Sequence, residues 1–265
     1  MKESENWLNV KSIEVWDQNK KIFDDLSLKL SFHENTVLLG PNGSGKTSII
    51  RLINRSLYPK VKSNSYFKLF GTENINIWEV RKRVGFLLTE LENRIYKNEA
   101  VNDVIKTGLY NTYRIPCYET KKISNEKSKL DMILEILELN SISDYPFKIL
   151  SDGQKRRTLI GRALIHDPDI LILDEPTSKL DIKSKYIILK CLENLCSSGK
   201  TLIQITHDIT TISESINRVI FIRNGEIIDD GIPSDLLTDK KLSHLFDMNL
   251  RVYYKNKSWT ICPFE

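Results

Sequence analysis

Residues 36–57 read TVLLGPNGSGKTSIIRLINRSL, and this stretch decides the fold. Its first four residues form an apolar run of strand length, and a glycine-rich loop begins at Gly40. From Lys46 onward, apolar residues recur with helical spacing at Ile49, Ile50, Ile53 and Leu57. A buried strand, a glycine loop and a helix in this order are typical of one unit of an α/β protein.

The loop GPNGSGKT at residues 40–47 matches the pattern G-x-x-x-x-G-K-[ST]. Its glycines let successive backbone N–H groups turn toward one point, and the following helix adds the positive end of its dipole. Such a loop binds nucleotide phosphates, with Lys46 on the terminal phosphates, Thr47 on Mg²⁺ and Ser48 on an inner phosphate. We therefore expect a nucleoside triphosphate to bind at Gly40, Pro41, Asn42, Gly43, Ser44, Gly45, Lys46, Thr47 and Ser48. The alternative is a glycine-rich turn that happens to precede a helix, with Lys46 solvated, and a match at eight positions between a strand and a helix argues against it. The motif alone would fit a kinase or a GTPase equally well.

Apolar patterns elsewhere predict further α/β structure. Several strands are expected between residues 8 and 39, and residues 87–164 are mostly helical. A strand at 170–173, a helix at 182–196 and a strand at 201–205 then predict a parallel sheet that is covered on both faces. Residues 218–223 and 226–229 flank Asn224-Gly225, which predicts a hairpin with a tight turn.

Two carboxylates, Asp174 and Glu175, follow the strand predicted at 170–173. Ligands bind at the carboxyl ends of strands in open parallel sheets. Asp174 is suited to hold a water ligand of Mg²⁺, and Glu175 to orient or deprotonate an attacking water. Two acids in a surface loop before Pro176 are the alternative, and the phosphate-binding loop in the same chain makes that alternative weaker.

The sequence LSDGQ at 150–154 lies 20 residues before Asp174, and here the chain resembles the ATP-binding cassette (ABC) ATPases, whose signature is LSGGQ or a close variant. The resemblance runs from about Leu8 to Gly231. It includes SKLD at 178–181 as the D-loop and His207 as the switch histidine. The resemblance is to the single-cassette nucleotide-binding subunits of ABC transporters.

The resemblance implies an α/β fold: a P-loop NTPase core with a mostly parallel sheet, an N-terminal antiparallel β subdomain and an inserted α-helical subdomain. Residues 1–265 would form one ABC ATPase domain. Residues 1–86 and 165–232 would form the core with the β subdomain, residues 87–164 the helical subdomain and residues 233–265 a short C-terminal extension without an interpretable motif. We also expect the basic run at 155–157 to lie on the exterior of a helix.

The signature has a structural and a functional interpretation. Ser151 and Gln154 have the spacing of a capping box, which predicts a helix from Asp152 onward. Capping does not explain Gly153 in the first turn, where the close approach of a ligand would explain it. In the family this surface closes on ATP held by the partner subunit's phosphate loop. The resemblance therefore implies nucleotide contacts from Ser151, Gly153, Gln154 and Asp181.

The resemblance also implies roles at the ATP site for three further positions. Trp16 lies 30 residues before Lys46, where the family offers an aromatic ring to stack on adenine; a core or edge aromatic of the first sheet is the alternative. His207 would contact the γ-phosphate, although a lone histidine after a strand can also be structural. At the end of VGFLL (84–88) the family usually has a glutamine that meets Mg²⁺ and the attacking water. This chain has Thr89, which would take the place of the glutamine at the metal site, although its side chain reaches less far.

The resemblance implies an ATPase that converts ATP and water to ADP and phosphate. Two copies in a head-to-tail homodimer would hold two Mg·ATP between the phosphate loop of one subunit and the signature of the other. No apolar run approaches the ~20 residues of a membrane helix, and the N-terminus MKESENWLNV lacks the apolar region of a secretory signal. We therefore expect a cytoplasmic subunit that powers an ABC transporter, held at the inner face of the membrane by transmembrane permease subunits that contact the helical subdomain. The net charge of +4 gives no reason to expect nucleic acid.

Two other functions stay open. One is a soluble ABC ATPase of translation, DNA repair or cofactor assembly, in which ATP-driven closure of the dimer would produce mechanical movement. Such proteins usually carry tandem cassettes, long coiled-coil insertions or a basic tail, and none is visible in this sequence. A nucleotide-gated binding module with little turnover is the other; Thr89 favours it, whereas Glu175 and His207 argue against it.

Overall fold

The computed structural model describes residues 6–60, 62–114 and 127–264. Two compact units contain the chain: Met1–Arg81 with Thr201–Glu265, and Lys82–Lys200. The elements are, in chain order, β1 (Asn6–Asp17), β2 (Lys20–Ser31), β3 (Thr36–Leu39), α1 (Lys46–Ile53), β4 (Pro59–Lys60), β5 (Tyr66–Leu69), α2 (Ile77–Arg83), β6 (Val84–Leu87), α3 (Leu91–Arg94), α4 (Val101–Tyr110), α5 (Lys127–Ile136), α6 (Asp152–Leu164), β7 (Ile170–Asp174), α7 (Ile182–Ser197), β8 (Thr201–Thr206), β9 (Arg218–Arg223), β10 (Glu226–Gly231), α8 (Pro233–Leu236), α9 (Asp239–Phe246), β11 (Leu250–Lys255) and β12 (Ser258–Pro263).

The first unit begins with an antiparallel sheet around β1, which pairs with β2, β4 and β5. Along β2, side chains alternate between buried and exposed, and Leu26, Leu28 and Leu30 lie on the buried face. This alternation is typical of an antiparallel sheet with one face on a core. The N-terminal antiparallel subdomain predicted from the sequence is confirmed.

The same unit contains a parallel sheet with β3 at its centre. β3 pairs in parallel with β8 and β9, and all of its residues are buried. β9 continues into β10 through Asn224 and Gly225, whose φ angles of 52° and 77° are those of a type I′ turn. The predicted strand at 36–39 and the predicted hairpin are therefore confirmed.

The C-terminal part of the first unit is folded, although its sequence suggested no motif. Helices α8 and α9 lead into the hairpin of β11 and β12, whose turn residues Asn256 and Lys257 have φ angles of 50° and 64°. Glu214, which follows β8 along the chain, accepts hydrogen bonds from Tyr254 Oη at 3.1 Å and Lys257 Nζ at 2.6 Å. The hairpin is thereby attached to the segment that follows β8.

The second unit combines the parallel pair β6 and β7 with most of the helices. β7 is buried along its whole length and includes Asp174, one residue beyond the predicted strand. α7 ends one residue later than the helix predicted at 182–196. Within the described ranges no helix combines the length and the apolar character that crossing a membrane requires.

The expected exterior position of the basic run is wrong for Arg157, which is buried. Its Nη1 donates to Leu137 O at 2.7 Å and to Glu138 O at 3.2 Å, just beyond the end of α5. The guanidinium therefore binds carbonyl groups that a helix end leaves without partners. Arg157 is one helical turn from Gly153, which is also buried, so the inward face of α6 includes this basic position.

Candidate functional site

The glycine-rich loop leads into α1 without a capping side chain. Gly45 is the N-cap at φ 108°, and a Cβ built there would lie 2.7 Å from Cζ of Phe23, so both the backbone conformation and the packing require glycine. Among the described residues, no side chain caps this helix, and its first turn has no acidic residue. The positive end of the α1 dipole is therefore available to an anion.

Lys46 and Ser44 give this loop its polar interior. The Lys46 side chain is only 6% exposed, and its Nζ donates to Gly40 O at 2.7 Å and Pro41 O at 2.8 Å. Ser44 Oγ is buried and has no hydrogen-bond partner within the described part of the chain. The Gly225 N–H donates to Ser44 O at 3.0 Å and braces the loop from the β9–β10 turn. A buried cation and an unsatisfied hydroxyl beside a helix N-terminus fit the phosphates of a nucleotide.

Trp16 lies near the end of β1 and is 38% exposed. Its Nε1 donates to Glu14 Oε2 at 3.3 Å, and Lys21 Nζ lies 5.3 Å from its ring centroid. Hydrogen bonds from Lys62 and Trp16 hold the pKa of Glu14 at about 2, so this carboxylate is ionised at neutral pH. The adjacent Asp17 pairs with Arg51 of α1. The ring is thus held close to the helix that follows the phosphate-binding loop.

His207 leaves the parallel sheet beside the same loop. β3 and β8 pair with Leu39 opposite Thr206, so Gly40 and His207 are the next residues of adjacent parallel strands. His207 is exposed. The first unit therefore places Trp16, the phosphate-binding loop and His207 on neighbouring segments.

In the second unit, Thr89, Asp174 and Glu175 gather at one sheet edge. The β6–β7 register pairs Leu87 with Leu173, and Thr89 Oγ1 donates to Asp174 Oδ2 at 3.0 Å. Asp174 is 3% exposed. Carboxylate oxygens suit Mg²⁺ and its bound water, so the carboxylates at this sheet edge fit a magnesium site.

Glu175 has a left-handed backbone with φ 49°. Non-glycine residues in this region carry strain of about 1–3 kcal/mol and concentrate at functional sites. Arg156 interacts electrostatically with Asp174 and Glu175, while its burial lowers the pKa of its guanidinium. The strained glutamate thus lies at a sheet edge with a second carboxylate and a cation nearby.

The signature forms the predicted capping box at the start of α6. Gln154 N donates to Ser151 Oγ at 3.3 Å, and Ser151 N donates to Gln154 Oε1 at 2.9 Å. A Cβ at Gly153 would lie 2.1 Å from Ser184 Oγ. The close approach expected at Gly153 is thus made by a serine of the same chain, and a nucleotide contact there stays a prediction.

Asp181 is the N-cap of α7, and both of its carboxylate oxygens are engaged. They accept hydrogen bonds from Ser184 N at 2.8 Å and Ser184 Oγ at 2.9 Å. These bonds lower the pKa of Asp181. Because Ser184 also packs on Gly153, it joins the signature helix to the D-loop.

We expect Gly153→Ala to destabilise the protein by about 2 kcal/mol, because an added methyl in a tight contact usually costs about 1–3 kcal/mol. Adding Ser184→Gly removes the atoms that the methyl would meet and should restore part of the loss. Urea unfolding of both single variants and the double variant measures this coupling. Strictly additive losses would show that the two residues do not share one contact.

Sequence reasoning missed Ser184, Phe23 and Arg156. Ser184 had a local signal, since it stands three residues after Asp181 at the start of a helix, a spacing typical of an N-cap contact. Phe23 and Arg156 had no local sequence signal. Phe23 packs against Gly45 of the phosphate-binding loop, which is distant in sequence, and the burial of Arg156 depends on how α6 packs.

A protein-family model described as "ABC transporter" matches residues 23–178. The ABC transporter ATP-binding protein YmeB of Lactococcus lactis is 30% identical over 260 residues, which cover 97% of this chain and 98% of YmeB. The cobalt import ATP-binding protein CbiO of Rhodobacter capsulatus is 30% identical over 230 residues, which cover 83% of this chain and 76% of CbiO.

Solved structures have the same fold. CbiO1 from Clostridium perfringens, described as part of the ABC transporter complex CbiONQ, aligns with a TM-score of 0.72 at 25% identity over 91% of this chain and 94% of its own. A dimeric bacterial ABC transporter cassette, MJ0796, aligns with a TM-score of 0.71 at 23% identity over 85% of this chain and 98% of its own. At these identities the likeness supports the P-loop α/β cassette fold that the sequence predicts.

Proposed function

Because the chain belongs to the ABC transporter family, we propose that it binds and hydrolyses ATP as the nucleotide-binding subunit of a membrane transporter. The observation that supports this best is the phosphate-binding loop, where Lys46 and Ser44 are buried beside the uncapped start of α1. A loop of this kind holds a triphosphate by its backbone N–H groups and one cation.

The residues divide the work on ATP as follows. Lys46 would neutralise the terminal phosphates, Thr47 would hold Mg²⁺ directly and Asp174 would hold it through a water ligand, and the bound Mg²⁺ would supply charge stabilisation for the transferred phosphoryl group. Glu175 accepts a proton from the attacking water. His207 orients the γ-phosphate. This last assignment is supported by the positions of Gly40 and His207, which directly follow the ends of the adjacent strands β3 and β8.

Closure of a homodimer would complete each site. Ser151, Gly153, Gln154 and Asp181 of one copy would face the nucleotide held by the other. The exposure of Ser151 and Asp181, and the 90% exposure of Ile182 next to Asp181, support a partner surface here. The γ-phosphate charge would draw the copies together, and its loss on hydrolysis would let them separate.

We further propose that residues 87–164 form a helical subdomain that contacts transmembrane permease subunits. This contact would place the protein at the cytoplasmic face of a membrane. The description of CbiO1 as part of a transporter complex supports this assignment. Tyr96 and Tyr145 are each 50% exposed on this segment and offer apolar surface to a partner.

Co-purification from solubilised membranes tests this function. The tagged protein should retain a polytopic membrane protein and hydrolyse ATP in its presence. A membrane fraction treated in parallel with the tag alone is the control. Recovery of only ribosomal or DNA-bound partners would contradict the transporter role and favour a soluble ABC ATPase.

Trp16→Ala should weaken ATP and ADP binding by about tenfold, since stacking of a base on an aromatic ring is worth about 1–3 kcal/mol. Binding of tripolyphosphate, which lacks the base, should not change, and Trp16→Phe should retain most of the affinity. Isothermal titration with the three ligands measures these effects. Trp78→Ala, which removes another exposed tryptophan, is the matched control. Equal losses for ATP and tripolyphosphate would contradict adenine stacking.

A further inference from the structure

The hydroxyl of Thr89 holds the carboxylate of Asp174. Thr89 follows β6 and Asp174 ends β7, and the parallel register of these strands brings both residues to the same edge. The Thr89 Oγ1 to Asp174 Oδ2 distance is 3.0 Å, which is a normal hydrogen bond. Because Oδ2 can only accept, Thr89 is the donor.

Burial makes this bond important for Asp174. The carboxylate is 3% exposed, and a buried carboxylate is costly unless donors satisfy its oxygens. A hydrogen bond to Oδ2 also restricts rotation of the carboxylate plane. Threonine has a single stiff side-chain torsion, so holding its hydroxyl in place costs less conformational entropy than holding a long flexible amide side chain.

The hydroxyl of the short Thr89 side chain is thus used in a hydrogen bond to the Asp174 carboxylate. A threonine hydroxyl has one proton, and here that proton points to Asp174. The resemblance to ABC ATPases implies that Thr89 is a metal-site residue in place of glutamine. The observed contact gives it a different role, in which its hydroxyl binds Asp174 and not the metal.

We propose that Thr89 is a positioning residue that orients the Asp174 carboxylate and acts on Mg²⁺ through it, not as a metal ligand. This inference rests on the proposed function, because it assumes that Asp174 belongs to the magnesium site. Outer partners of a metal site, which orient the groups that hold the metal or its bound water, typically contribute about 10–100-fold to metal affinity. The loop between β6 and α3 is then linked to the metal site by one hydrogen bond.

The test compares Thr89→Val, which keeps the shape but removes the hydroxyl, with Thr89→Ser, which keeps the hydroxyl. Mn²⁺ binding in the presence of a non-hydrolysable ATP analogue is followed by electron paramagnetic resonance. Nucleotide binding in EDTA is measured separately. We expect Thr89→Val to weaken Mn²⁺ binding by about tenfold and Thr89→Ser to stay near wild type. Metal-free nucleotide binding should be the same in all three proteins.

Glu90→Gln serves as a control for general effects on the loop, because Glu90 is exposed and contacts Arg94, not Asp174. Thermal unfolding of every variant shows whether the fold is retained; Thr89 is exposed, so both substitutions should be tolerated. Should Thr89→Val fold poorly, the comparison of Thr89→Ser with Thr89→Ala carries the same test.

Three results would overturn the inference. They are unchanged Mn²⁺ affinity in Thr89→Val, an equal loss in Thr89→Ser, or an equal loss of metal-free nucleotide binding. In each case wild-type protein that binds the nucleotide with Mn²⁺ leaves the proposed function standing. Wild-type protein that binds no nucleotide would overturn the proposed function and this inference together.

Discussion

Glu175→Gln is expected to lower ATP turnover by about 10³-fold, within the range that general base catalysis supplies. Glutamine keeps the size of the side chain but cannot accept the proton of the attacking water. ATP binding should persist, so the closed dimer should accumulate. Gel filtration with Mg·ATP and a phosphate-release assay measure the two effects.

Glu135→Gln is a matched control, because it makes the same acid-to-amide change at an exposed position of α5. It should alter neither turnover nor oligomeric state. A Glu175→Gln variant that stays monomeric and still hydrolyses ATP would contradict the role of Glu175 as the base.

Lys46→Ala is expected to weaken ATP binding by about 100-fold. Hydrogen bonds to charged groups contribute about 1.5–3 kcal/mol, and 1.4 kcal/mol corresponds to a factor of ten. The substitution removes the buried cation and also the donor to Gly40 O and Pro41 O. Isothermal titration with ATP and AMP separates the effects, since AMP lacks the terminal phosphates and should bind with little change.

Lys29→Ala removes a lysine from β2 and controls for the change in net charge. Thermal unfolding distinguishes lost phosphate binding from a collapsed loop. Unchanged ATP affinity in Lys46→Ala would remove the assignment of residues 40–47 as the phosphate-binding loop.

Local motifs predicted much of the fold. The strand Thr36–Leu39, the start of α1 and the capping box at Ser151 all follow from residues within a few positions of one another. Such short-range patterns predict the local backbone structure, because glycine, capping residues and apolar periodicity act through neighbouring backbone groups.

Contacts between distant segments could not be predicted in this way. The bond of Thr89 to Asp174 depends on the register of two strands 85 residues apart at these positions. Arg157 is buried because the end of α5 offers carbonyl groups to it, which its own basic neighbours do not reveal. The hairpin of β11 and β12 was missed because Lys257 occupies a turn position that usually has glycine.

The left-handed backbone of Glu175 lowers the stability of the fold, whereas its carboxylate serves ATP hydrolysis. Glycine or asparagine would relax that conformation, so selection for folding alone would replace the glutamate. A descendant of this protein that no longer hydrolysed ATP could therefore gain stability by replacing this one residue. Retention of glutamate at position 175 across a lineage would mark lines in which turnover is still under selection.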